Sequence, residues 1–401
     1  MGAKEHNRLG YLDGLRGWAA VAVLVFHSTW ELFGQIVPSL AGTRLLLNDG
    51  RLAIYLFFVL SGFVLSTRYL SSNNLEQIRA TALGRYIRLT IPIAAASLLS
   101  LVLLECGAML NQQAGSIVAR PDWLGSFYAF SPSLLSYLKF SFYDVYFMYE
   151  NSKSYDVVLW TMPIELAGSF LIFAIVAVFG VSLRLRMLSC AVALLLCWQI
   201  DQPYLTFFYG YLIAILHTVT GSKDFTKGAT GNVVGLSLVA FVLFYRLEHD
   251  GVVICAFLGA CLVLAPVFSP FLRRILSSRL SKWLGRVSFP LYLVHSAVIC
   301  SLSSFLIIEL HQLSWSPSAM AAVVVPSTIL VSLLVAHAFE PIEKFAIRTS
   351  HLFAGLMLRG PRFVPPPEAA ETPLPGAARR ALSSPAQRSP SDQRIGALPA
   401  A

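Results

Sequence analysis

Apolar stretches of membrane-crossing length recur along almost the whole chain, separated by short polar joints. A helix needs about 20 consecutive apolar residues to cross a bilayer. Ten such runs are predicted, at about 15–34, 52–70, 88–108, 157–179, 185–201, 203–220, 231–247, 251–268, 287–308 and 318–340. The pattern predicts an all-α fold, a polytopic membrane helical bundle with about ten transmembrane helices occupying residues 1–350. From about Gly360 large apolar residues almost vanish among Pro, Ala, Ser and Arg, so 360–401 is expected to be a disordered cytoplasmic tail.

Composition supports the membrane reading. The chain is 56% hydrophobic and 13% charged, against about 25% charged in soluble domains. The first apolar run contains Arg16 and continues as a full span, so no cleavable signal peptide is expected. The net charge of +9 resolves into topology once the loops are assigned. With the N-terminus inside, only Arg44, Arg51, Arg120, Lys139, Lys153 and Arg246 of the 30 basic residues fall outside. Both termini are therefore expected to be cytoplasmic, in the cell (inner) membrane, and a nucleic-acid partner is not expected. The six cysteines lie in or beside apolar runs without metal-ligand spacing, so neither a disulfide framework nor a metal site is expected.

Ionisable groups inside spans are costly and mark function by default. Arg16 and His27 lie on the first span, eleven residues apart. That spacing puts them on nearly one face, roughly 16 Å apart along the axis. The pair reads as a channel with a cationic mouth and a catalytic base at depth, since an imidazole titrates near neutrality. Asp13 is too far from His27 along one helix to act on it and is expected to cap the helix start.

Glu165, in LWTMPIEL, lies roughly 12 Å in from the outer end of its span, and His27 about 10 Å from the outer end of its own. Glu165 is thus expected to orient or charge the imidazole, or to contact the acceptor. Arg85 and Arg88 are spaced to share a helix face at the inner start of the third span. They fit either positive-inside anchoring or phosphate capture. Ser61 beside Gly62 reads first as close helix packing. Tyr292 and His295 lie in the ninth span, with His295 expected at a shallower, inner depth. Ser61, Tyr292 and His295 stand as substrate-binding candidates. His337, Glu340 and Glu343 are expected to close the inner end of the last span with basic neighbours. The long outer segment 109–156 is dense in aromatics, fitting a re-entrant or interfacial segment, or a lid whose rings stack on sugars.

Six segments in order resemble acyltransferase family 3, whose members are multi-pass membrane enzymes acylating surface polysaccharides and related acceptors. They are LDGLRGWAAVAVLVFH, FFVLSGFVLS, LGRYIRLTIP, LWTMPIEL, VSFPLYLVH and FEPIEK, with Phe289 where the family commonly has tyrosine. The resemblance implies ten core helices, cytoplasmic acyl-CoA as donor with no metal, His27 as catalytic residue, and Arg16, Arg85 and Arg88 near the donor. The function expected is transfer of an acyl group, acetyl by default, from acyl-CoA to a hydroxyl of an extracytoplasmic carbohydrate or glycolipid. Polysaccharide-biosynthesis machinery is a further partner it implies. A proton-coupled exporter of a glycan or lipid is the alternative that intramembrane His and Glu also suit.

Overall fold

The structure, a computed structural model, describes residues 10–41, 46–220, 228–249 and 251–358. The expected tail 360–401 and the basic residues Lys4, Arg8, Arg44, Lys223 and Lys227 lie outside the described residues. Every regular element among the described residues is helical. The principal helices are α1 (Gly10–Phe26), α2 (Gly50–Ser72), α3 (Leu75–Glu105), α4 (Asn111–Ile117), α5 (Leu134–Lys139), α6 (Met162–Phe179), α7 (Leu183–Ile200) and α8 (Leu205–Thr220). After them come α9 (Ala229–Glu248), α10 (Val252–Phe268), α11 (Pro270–Leu276), α12 (Arg279–Val298), α13 (Ser304–Gln312), α14 (Pro317–Ala338) and α15 (Glu340–Leu358).

Seven helical stretches among the described residues are long and apolar enough to cross a membrane. The pair α10 and α11, bent by 101°, makes an eighth if it is one span. The remaining two of the ten predicted spans are occupied by α1, of 17 residues, and α8, of 16. Local sequence explains the joints. Asn73, in the left-handed region at φ 52°, ends α2, and the Asn74 side chain accepts from Glu76 N to start α3. Ser278 caps α12 through Ser281 N, and Ser316 followed by Pro317 starts α14.

Between lipid-facing helices there is little hydrophobic drive, so close packing and polar contacts decide who pairs with whom. The helices α1 and α12 run parallel and nearly touch. A Cβ on Gly17 would lie 2.5 Å from Gly285 N, and one on Gly285 would lie 2.4 Å from Asp13 O. Gly62 does the same for α2 against α8, where a Cβ would sit 2.1 Å from Phe207 O. The packing role expected beside Ser61 is therefore the one Gly62 performs.

The bundle has two ends. The arginine end carries Arg16, Arg85 and Arg88, and the cap end carries residues 107–130. Those cap residues own a separate apolar core: Ala114, Val118, Leu124 and Phe127 pack on Leu32, Phe33, Ile299 and Val324. Leu110 N bonds Cys300 O at 3.0 Å, and Asn111 Nδ2 spans to Leu124 O and Phe127 O, both at 2.8 Å. The next stretch behaves differently. Tyr137 OH donates to Ala94 O at 3.0 Å, Tyr146 OH is 2.9 Å from Thr90 Oγ1, and Tyr86 OH donates to Phe142 O. Tyr86 lies nineteen residues, about 28 Å, from the cap-end terminus of α3. Residues 134–147 thus dip down along α3 and return. Of 109–156, the second half thus runs as a re-entrant segment, while the first half packs as a cap with its own apolar core.

Candidate active site

Three polar or aromatic tiers cross the bundle between α1, α2, the start of α6, and α12. The parallel helices α1 and α12 set the upper tier. Ten residues separate Gly17 from His27, and ten separate Gly285 from His295. Helices in close contact at the glycines therefore bring the two imidazoles level. His27 Nδ1 lies 2.9 Å from His295 Nε2, with the ring planes 9° apart. His295 Nδ1 lies 3.1 Å from Leu291 O. A carbonyl only accepts, so His295 Nδ1 carries hydrogen and its Nε2 accepts in the neutral ring. His27 Nδ1 must then be the donor, which leaves Nε2 of His27 as the lone pair available to a ligand. The expected inner depth of His295 is corrected. Its helix starts at Arg279, eight residues before the predicted 287, which carries His295 up to His27.

Both histidines line a cavity of about 190 Å³. Its walls are mainly apolar, from Ile54, Phe127, Val157 and Ile299, with Trp123 and Trp160 among them. Trp123 comes from the cap. Its ring centroid is 5.9 Å from that of His27, and the Arg120 guanidinium lies 5.3 Å from its ring centre. Arg120 is ion-paired to Glu31, in the π-helical turn His27–Glu31 that carries the imidazole itself. Such widened turns often sit at functional sites.

The middle tier is aromatic. Tyr292 and Phe57 have ring centroids 6.2 Å apart. Tyr292 OH donates to Val158 O and lies 2.7 Å from Thr161 Oγ1. One turn up α12, Ser296 donates to Asp156 Oδ1 at 2.6 Å. Asp156 stands just before the apolar segment 157–179. Burial pushes its carboxyl up to about 7, and its Oδ2 is buried with no hydrogen-bond partner.

The lower tier holds the other predicted residues. Glu165 is ion-paired to Arg85 and accepts from Ser61 Oγ at 2.6 Å. Arg85 Nε donates to Ser169 Oγ at 3.0 Å. Arg16 acts electrostatically on both Arg85 and Glu165, and Glu343 feels Arg16 and Arg88. Arg16, with 28% of its side chain exposed and Asp13 4.0 Å away, is more open than Arg85. Glu340 is tied to Lys344 at 3.0 Å and to His337 at 3.1 Å, closing that end with basic neighbours.

Glu165 therefore does not bond His27. The sequence estimate measured its depth from Val157 as if that residue lay at the membrane surface. Val157 already lines the cavity beside His27, because the chain before it returns from the dip below. Eight residues further in, Glu165 lies two tiers lower, with Arg85 and Ser61. Sequence reasoning also missed Trp123, Asn151 and Trp160 as cavity residues, though the aromatic density of 109–156 pointed to that segment.

Among the described residues no group of His, Cys, Asp and Glu could hold a metal ion. An acyltransferase-domain family matches residues 9–337 of the chain. The O-acetyltransferase PaAT-1 of Phomopsis amygdali is 26% identical over 374 aligned residues, covering 75% of this chain and 74% of that protein. No solved structure matches.

Proposed function

Because the chain belongs to the acyltransferase family just matched, we propose that this membrane acyltransferase moves an acyl group from acyl-CoA to an alcohol at His27. Family membership decides for an enzyme over the exporter. The observation that carries the site is the imidazole pair, hydrogen-bonded in one plane, with its one available lone pair beside a small cavity that both rings line.

The donor approaches from the arginine end, which is the cytoplasmic side in this reading. Arg16 and Arg88 receive its phosphates. Arg85 is held by Glu165 and shapes the floor of the passage rather than opening to solvent. Tyr292 and Phe57 stand between that floor and the cavity, so their rings turn aside as the pantetheine arm rises roughly 16 Å to His27. His27 Nε2 then takes the proton of the acceptor hydroxyl while its oxygen attacks the thioester carbonyl. The C–S bond breaks, an ester forms, and the leaving thiolate takes the proton from His27. His295 holds the tautomer throughout. A cavity of about 190 Å³ favours acetyl over a long chain, being smaller than the ~300–1,000 Å³ of drug-sized sites. That the Phomopsis relative is an O-acetyltransferase points the same way.

The acceptor is an alcohol on a carbohydrate or glycolipid, approached from the extracytoplasmic side of the cell membrane. Polysaccharide-assembly proteins are the partners such a product implies. The test is transfer of labelled acetyl from acetyl-CoA to membrane glycans by the purified full chain. His27→Ala that still transfers at the wild-type rate removes the proposal.

A further inference from the structure

The cavity and the lipid-facing surface share a residue. On α6 the exposed positions Ala167, Phe170, Leu171, Ala174 and Val178 recur at helical spacing on one stripe, with Phe179 exposed at the helix end. The opposite stripe, with Glu165, Ser169 and Ile172, is buried. Trp160, in the 3₁₀ turn that feeds α6, continues the exposed stripe seven residues before Ala167 and is 42% exposed. It also lines the cavity that holds both histidines. Exposed apolar side chains along a membrane-length helix face lipid, so one wall of this cavity reaches the lipid-facing surface.

The cap closes the direct route from above. Trp123 and Phe127 roof the cavity, Arg120 and Glu31 clamp Trp123, and the cap carries its own apolar core. The other exposed residue lining the cavity is Asn151, in the polar turn where Lys153 and Glu150 pair at 2.7 Å. An opening bordered by an exposed asparagine turn and a lipid-stripe tryptophan is what a membrane–water interface selects.

We propose that the acceptor enters sideways, between Asn151 and Trp160, and that it is an amphiphilic alcohol dissolved in the bilayer rather than a soluble glycan. This rests on the reading of His27 as the site of transfer. The apolar tail of the acceptor stays along the α6 stripe in lipid. Its polar head sits at the Asn151 turn, and the hydroxyl reaches His27 across the apolar wall of Val157 and Ile54. Wall and ligand then match in polarity, which a fully hydrated saccharide would not.

The experiment is photo-labelling of the full chain in nanodiscs. One probe is a long-chain alcohol bearing a diazirine, dissolved in the bilayer. The other is a diazirine-bearing monosaccharide supplied in water. Adducts are mapped by mass spectrometry, and His27→Ala is assayed for transfer alongside. The bilayer probe is expected to label Trp160 and also the enclosed residues His27 and Cys300, several-fold more than the sugar does. Labelling of Trp160 without the enclosed residues overturns lateral entry, as does preferential labelling of those residues by the sugar. If transfer survives in His27→Ala, the site reading fails whatever the labelling pattern. If transfer is lost but the interior is labelled only from water, lateral entry alone falls.

Discussion

At the arginine end, Arg85 and Glu165 neutralise each other inside a shell of serine hydroxyls. Two tiers up, His27 and His295 are bonded to one another, and among the described residues no carboxylate is bonded to either ring. Both are buried polar pairs joining helices far apart in sequence, but they solve different problems. A compensated charge pair has its lone pairs and protons spoken for, so it sets geometry and resists change. A neutral pair with one ring nitrogen left over holds a base in position without a counter-charge. Chemistry can occur in the second and not readily in the first, although residue type alone marks both as functional candidates.

The largest expected effect tests the upper pair. His27→Ala should lower acyl transfer by about 10²–10⁴-fold, the usual contribution of a general base. Binding of a non-hydrolysable acyl-CoA analogue, measured by calorimetry, should persist, because the lower tier is untouched. The lower pair should respond in stability instead. Arg85→Ala leaves the Glu165 carboxylate buried without its cation and should cost about 3–5 kcal/mol in reversible unfolding from detergent. Arg85→Met combined with Glu165→Leu should recover most of that loss. If the double replacement is as unstable as the single one, the compensation argument fails.

A smaller effect sharpens the contrast within the upper pair. His295→Ala removes the acceptor that fixes the His27 tautomer. It should reduce kcat by roughly 10²-fold, towards the low end of a general-base effect, with KM for acyl-CoA unchanged. Partial recovery in His295→Gln would separate tautomer control from cavity shape. A drop confined to KM would mean that His295 binds the donor instead.

The smallest effect lies at the edge of the cavity. The Asp156 carboxyl is raised to about 7 by burial, above its unfolded value, so the folded state binds a proton more tightly there. The stability it contributes is complete below the ordinary aspartate range and is lost as pH rises through about 7. Thermal unfolding of the wild type should therefore fall from pH 5 to pH 8 more steeply than that of Asp156→Asn. Parallel profiles for the two proteins would show that this carboxyl is not the source.

Much of the candidate site was legible in the chain, because each candidate sits in or beside an apolar run where a polar residue is conspicuous. Arg16, His27, Ser61, Arg85, Glu165, Tyr292 and His295 all fall within the three tiers. Their pairing was not legible. Glu165 looked level with His27 only on the assumption that its helix began at the membrane surface. The dip of residues 134–147, and the return that delivers Val157 at cavity depth, displaced every residue of that helix toward the arginine end. The same segment hid Asn151 and Trp160 from view, since a loop and a lipid-facing aromatic carry no sign of the cavity between them.

Local physics made the membrane class, the helical content and the polar positions within spans readable. Hydropathy and helical spacing act over a few turns, and a bilayer leaves the backbone few other ways to satisfy its hydrogen bonds. Only the tertiary structure decided which polar group met which. The two imidazoles are 268 residues apart, and their meeting depends on glycines that let α1 and α12 touch in register. No local pattern encodes that contact, because it follows from how whole helices slide and pack against one another.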